Sequence, residues 1–157
     1  MNSTPSVFER LTGFLLADGV AFQVSRHEAV FTSEEAARVR GTSLSSGAKA
    51  LICKVDDAFV MFVLPADRRL AGKLVRRNAG VRNLRFASRD EVLDLTGLAP
   101  GSIPPFGKLF GLETWCDERL AQEPCINFNA GDHSISISMS YAEYERVENP
   151  RLGQFTE

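Results

Sequence analysis

Apolar residues recur at helical spacing at Val7, Phe8, Leu11, Phe14 and Leu15, and Asp18-Gly19 supplies a stop, so residues 6–18 read as an amphipathic helix. Phe22 and Val24 then alternate with polar neighbours, as in a short strand. Thr32 with Glu35 forms a capping box for a second helix reaching Arg40, and 41–47 is loop. The runs AKALICKV (48–55) and AFVMFVL (58–64) are rich in strand formers, and Asp56-Asp57 between them suits a tight hairpin. Both faces of the first run are apolar apart from its lysines, which predicts a central strand. Residues 68–79 predict a helix with Leu70, Ala71, Leu74 and Val75 inward and Arg69, Lys73, Arg76 and Arg77 outward. LRFA (84–87) reads as a strand, and Ser88 with Glu91 caps a helix ending at Gly97. Farther on, KLFGLE is strand-like and CDERLAQ is a turn or short helix. CINFN and SISISM form a hairpin whose tip displays Asp132 and His133, and Ser140 with Glu143 caps a last helix through Val147. The tail is polar and is expected to fray.

These elements interleave without a βαβ rhythm. The expected fold is therefore α+β: a mixed, largely antiparallel, barrel-like sheet flanked by helices. A length of 157 residues predicts a single domain, 1–157, with one sizeable core. No apolar run approaches the ~20 residues of a membrane span, and the N-terminus lacks the basic start and apolar core of a signal peptide, so a cytoplasmic location is expected. Three cysteines without a CxxC suggest neither a disulfide framework nor a zinc knuckle, and the histidines show no ligand spacing, so neither a metal nor a cofactor is implied.

Charge changes the picture in one region. Between Arg68 and Arg89 stand eight Lys or Arg and no Asp or Glu, in a chain whose net charge is −2. That run is either a solvated face or a nucleic-acid-facing patch.

Three stretches carry candidate chemistry. GSIPPFGK (101–108) is not a phosphate-binding P-loop: five residues separate its glycines, Leu109 replaces the required hydroxyl, and Pro104 and Pro105 have no N–H. What remains is a stiff loop with backbone donors at Gly101, Ser102, Ile103, Phe106 and Gly107, either a binding site built from backbone or a structural turn. Lys49 shares a strand face with Leu51, Cys53 and Val55, so its ammonium must snorkel, pair, or serve a site. Lys54 points the other way, toward solvent. Ser134, Ser136 and Ser138 alternate with apolar residues, which describes a half-solvated strand or the polar lining of a pocket. No nucleophile elbow accompanies His27 or His133, so a triad hydrolase is not indicated.

Taken in order and at their separations, GAKALICK, LTGLAPGSIPPFGKL and INFNAGDHSISISM resemble the YbaK/EbsC family of aminoacyl-tRNA deacylases, relatives of the editing domain inserted in bacterial prolyl-tRNA synthetase. The likeness runs from about Phe22 to Tyr144. It implies hydrolysis of the ester between a wrong amino acid and the tRNA 3′ end, assisted by the terminal ribose 2′-OH. Lys49 matches the family's essential lysine and Gly101 the glycine of its ester-binding loop. Phe31, Ile103 and Phe106 are the expected pocket walls, with Ser102, Gly107, His133 and Ser136 as further substrate-binding candidates; some relatives carry an acid at the Ser136 position. The implied partners are a mischarged aminoacyl-tRNA, met through Arg69, Lys73, Arg76 and Arg77, and an aminoacyl-tRNA synthetase. The other class of reading is a non-catalytic module on the same fold that senses an amino acid, a nucleotide or a protein partner.

Overall fold

The computed structural model describes residues 4–157. Among them the chain runs α1 (Val7–Ala17), β1 (Phe22–Arg26), α2 (Ser33–Arg40), β2 (Ala48–Val55), β3 (Ala58–Pro65), α3 (Gly72–Ala79), β4 (Leu84–Phe86) and α4 (Arg89–Thr96). It continues as β5 (Glu113–Asp117), β6 (Cys125–Asn129), β7 (Ile135–Ser140), α5 (Tyr141–Glu148) and β8 (Arg151–Gly153). The helix starts follow the expected chemistry. Ser88 and Glu91 form a reciprocal capping box, and the side chains of Thr32 and Ser140 accept from the backbone N–H of Glu35 and Glu143.

The strands form two sheets, of order β1-β7-β6 and β4-β2-β3-β5-β8. Pairing is antiparallel except for β3 with β5 and β5 with β8. The expected mixed, largely antiparallel arrangement is present, but the sheets do not close into a barrel. Among the described residues they meet through one parallel bridge, Gly47 with Asn127, and β4 pairs with β2 over Cys53–Val55. The start of β2, from Ala48 to Ala50, therefore borders an open seam.

Alternation along β2 and β3 divides the apolar side chains between two clusters rather than the one core expected. Ala48, Ala50, Ile52, Met61 and Val63 join the larger, with α1, α5 and the three-stranded sheet, while Cys53, Val55, Val60, Phe62 and Leu64 join the smaller, with Val75, Trp115 and Phe155. β2 is an inner strand, as its doubly apolar pattern predicts.

Three local expectations need correction. The helix at 68–79 begins only at Gly72, because Leu70 bridges to Thr156 and the Ala71 N–H donates to the Phe155 carbonyl at 2.8 Å. KLFGLE is a 3-10 turn over Gly107–Phe110, followed by strand only from Glu113. The tail does not fray: β8 pairs with β5, and the buried Asp117 carboxylate accepts from the N–H groups of Phe155 and Thr156 at 2.8 and 2.9 Å. A polar sequence is held there by an acid far away in the chain.

Glu148, at the end of α5, fastens the segment that follows the proline loop. Its carboxylate accepts from the Thr114 hydroxyl (2.5 Å) and the Lys108 N–H (3.3 Å), while its other oxygen is buried without a partner. Burial pushes this carboxyl up to about 7 from an ordinary 4.5. The folded state then binds the proton more tightly than the unfolded one, so the contribution is full below pH ~4.5 and is lost as pH rises toward 7, by on the order of 3 kcal/mol. Glu148→Gln should flatten the dependence of melting temperature on pH between 5 and 8, measured by thermal unfolding against the parent protein.

Candidate active site

A cavity of about 190 Å³ opens at the seam between the sheets. Its walls come from Phe31, from α2 (Ser33, Ala36, Ala37, Arg40), from the start of β2 (Gly47 to Ala50), from β6 (Asn127 to Asn129), and from Gly101 and Ile103. Lys49 and Gly101, distant in sequence, thus border the same space. Among the described residues no Asp or Glu lines it, whereas Arg40 and Lys49 do, so these walls carry two cations and no acid. Lys49 is half-buried and forms no ion pair among the described residues.

The loop that looked rich in backbone donors is mostly engaged with itself. The N–H of Ser102 donates to the Ala99 carbonyl, that of Phe106 to the Pro104 carbonyl, and that of Gly107 to the Thr114 hydroxyl. Gly101 and Ile103 keep N–H groups with no acceptor among the described residues, and both stand at the cavity. Gly101 adopts φ +92°, which favours glycine, and its carbonyl accepts from the Asn129 side chain at 2.7 Å.

The remaining candidates sort by position. Phe31 is 72% exposed at the cavity mouth, with its ring 4.7 Å from that of His133. His133 also approaches Gly101: a Cβ built on the glycine would stand 3.3 Å from its Cε1. Phe31, His133 and Gly101 therefore form one rim. Phe106 is not a wall; it is fully buried in the larger core, edge-on to Phe14, Phe128 and Tyr144. Ser102 and Gly107 are likewise buried away from the cavity, and Ser136 is buried behind it. Arg69, Lys73, Arg76 and Arg77 are exposed, on and just before α3, and Ala66 of the cavity wall lies shortly ahead of them.

Arg40 was not foreseen. It closes α2 one helical turn after the buried Ala36 and so shares its inward face. The Asn127 and Asn129 alternation in CINFN was a second available signal, since residues two apart on a strand share a face.

A family comparison decides what this geometry belongs to. Residues 27–147 match the aminoacyl-tRNA editing domain. The chain belongs to the aminoacyl-tRNA editing domain family. Editing by such domains is ester hydrolysis, so the chain is an aminoacyl-tRNA deacylase by family. It is 36% identical to the multifunctional Ser/Thr-tRNA deacylase ProXp-y of Escherichia coli K12, over 94% of this chain and 91% of that one. It is also 37% identical over 76 residues to the proline–tRNA ligase of Shouchella clausii, a match covering 48% of this chain and 13% of the ligase. A solved structure described as a candidate trans-editing enzyme for prolyl tRNA synthetase superposes with a TM-score of 0.86 at 25% identity, covering 99% of each chain.

Proposed function

We propose that this editing domain acts in trans in the cytoplasm, hydrolysing the ester that joins a wrong amino acid to the 3′-terminal ribose of a tRNA. The observation that carries this reading is the convergence of Lys49 and Gly101 on a cavity free of acids. Lys49 supplies a compact cation for the terminal nucleotide's phosphate. The N–H groups of Gly101 and Ile103 are suited to the carbonyl oxygen as negative charge develops on it.

Water attacks the ester carbon, the bond to the ribose oxygen breaks, and the products are a free amino acid and a ribose hydroxyl. Among the described residues no Asp or Glu lines the cavity to take the water's proton, and His133 stands at its rim with Nδ1 at the Val30 carbonyl. The vicinal ribose hydroxyl is the group we assign to orient the water and relay that proton. An aminoacyl ester is already reactive, and positioning alone lowers such barriers substantially. In this reading the exposed cations of the Arg68–Arg89 run meet acceptor-stem phosphates and a synthetase delivers the tRNA; what supports it is their exposure and the lack of acids among them.

The test is release of labelled amino acid from a panel of mischarged tRNAs. Because a 36%-identical relative is named for Ser/Thr-tRNA, seryl and threonyl esters head that panel. Release from at least one member, and its loss when the terminal ribose lacks the vicinal hydroxyl, is the expected result. A panel left intact by the protein would overturn the reading.

A further inference from the structure

Arg40 is built into the cavity wall in a way that no role assigned so far uses. Its Nε donates to the Ser136 hydroxyl at 2.8 Å and its Nη2 to the Asn129 side-chain oxygen at 2.9 Å. Two anchors fix the plane of the guanidinium. A guanidinium has five N–H donors, so three remain, and Nη1 has no acceptor among the described residues. Nη1 reaches toward the base of β2, where a Cβ built on Gly47 would stand 3.9 Å away.

The anchoring is itself braced. His27 places Nε2 2.8 Å from the Ser136 hydroxyl and Nδ1 2.7 Å from the Glu28 carbonyl. A carbonyl accepts only, so Nδ1 carries the proton; in the neutral ring Nε2 then accepts the Ser136 O–H, leaving that oxygen's lone pairs for Arg40. Burial lowers the Arg40 pKa to about 10, and no carboxylate among the described residues pairs with it. The residue stays charged at neutral pH, partly stripped of water, with donors facing a small cavity whose other walls include Ala36, Ala37, Ala48 and Ala50.

Donors held this way discriminate strongly, because a ligand that excludes water without offering an acceptor leaves them unpaired. On the editing reading above, we propose that Arg40 is the specificity-determining residue: its free guanidinium N–H groups donate to a side-chain hydroxyl of the esterified amino acid, so the cavity takes small hydroxylated amino acids over apolar ones of the same shape. Ser136, His27 and Asn129 act through Arg40 as positioning residues. Ser136 therefore enters substrate choice without touching the substrate.

Threonine and valine, matched in shape and differing by hydroxyl against methyl, provide the test. One tRNA charged with each should be hydrolysed by the parent protein with kcat/KM about 10- to 100-fold in favour of threonine. Arg40→Gln and Arg40→Met, with melting temperatures recorded, should bring that ratio to near unity, chiefly by slowing threonine. Equal rates in the parent protein, or a preference that survives in a folded variant, would overturn the proposal; so would a uniform loss for both esters, which is the mark of a phosphate contact. Calorimetric binding of threonyl and valyl 3′-amino-3′-deoxyadenosine amides reads the same preference without turnover. If no ester is cleaved, the editing reading fails, while a threonyl preference in binding that vanishes in the variants still supports Arg40, and equal binding sinks it.

Discussion

Lys49→Ala is expected to lower kcat/KM for deacylation by about 100-fold, because a nucleotide no longer anchored through its phosphate misplaces the ester and a misplacement of ~1 Å costs that much, while leaving the melting temperature within about a degree of the parent protein. The two halves of this expectation rest on different observations. Lys49 is half-buried at the second position of β2, forms no ion pair among the described residues, and shares its cavity with a second cation. Among the described residues, removing it deprives no neighbour of a partner, so the fold has nothing to lose beyond a few tenths of a kcal/mol. On the proposed function the substrate, in contrast, loses the ammonium assigned to its phosphate. Lys49→Arg should recover little, since a planar fork on a longer stem does not occupy the position of a point charge. Single-turnover release from a mischarged tRNA, beside a thermal unfolding curve, checks both halves. A Lys49→Ala protein that is destabilised by several kcal/mol would instead identify the lysine as structural.

Much of the fold was legible because its signals are local. The alternation in 48–55 and 58–64 specified a hairpin with both faces covered, and β2 and β3 do present alternate residues to two clusters. Ser88 with Glu91 marked a helix start to the residue. The misreadings share a cause: distant partners overruled local pattern. Leu70 has helical spacing, yet Thr156 claims it for a bridge, and a tail of polar residues is ordered by the Asp117 carboxylate. At the site, Lys49 stood out because a cation in an apolar strand needs a reason. Arg40 did not, because a basic residue at a helix C-terminus is ordinary by charge and dipole alone; only the tertiary approach of Ser136 and Asn129 reveals its task. The serine alternation of SISISM reads as solvation or pocket lining, and its member Ser136 instead faces a half-buried guanidinium.

The loop 101–107 separates into an end that borders the cavity and an end that is buried, and Gly107→Ala is the substitution with the largest expected cost to stability. A Cβ on Gly107 would stand 2.6 Å from the Leu112 carbonyl oxygen and closer still to the Thr114 hydroxyl, so backbone has to move. That movement breaks the bond from the Gly107 N–H to Thr114 and disturbs the hydroxyl that serves the buried Glu148. Overpacking of this kind costs about 3 kcal/mol, which in a chain of this size lowers the melting temperature by roughly 10 °C. Gly101→Ala meets a different obstacle: only the His133 ring lies within reach of its Cβ, and the penalty is the positive φ, about 1 kcal/mol. Its expected effect falls on deacylation, because the neighbouring N–H and the His133 rim shift together at the cavity. Thermal unfolding and single-turnover deacylation of the two variants side by side should therefore show opposite profiles, with Gly107→Ala unstable but active when folded and Gly101→Ala stable but slow. If Gly107→Ala keeps its melting temperature while losing activity, then the whole loop, and not its first residues alone, serves the ester.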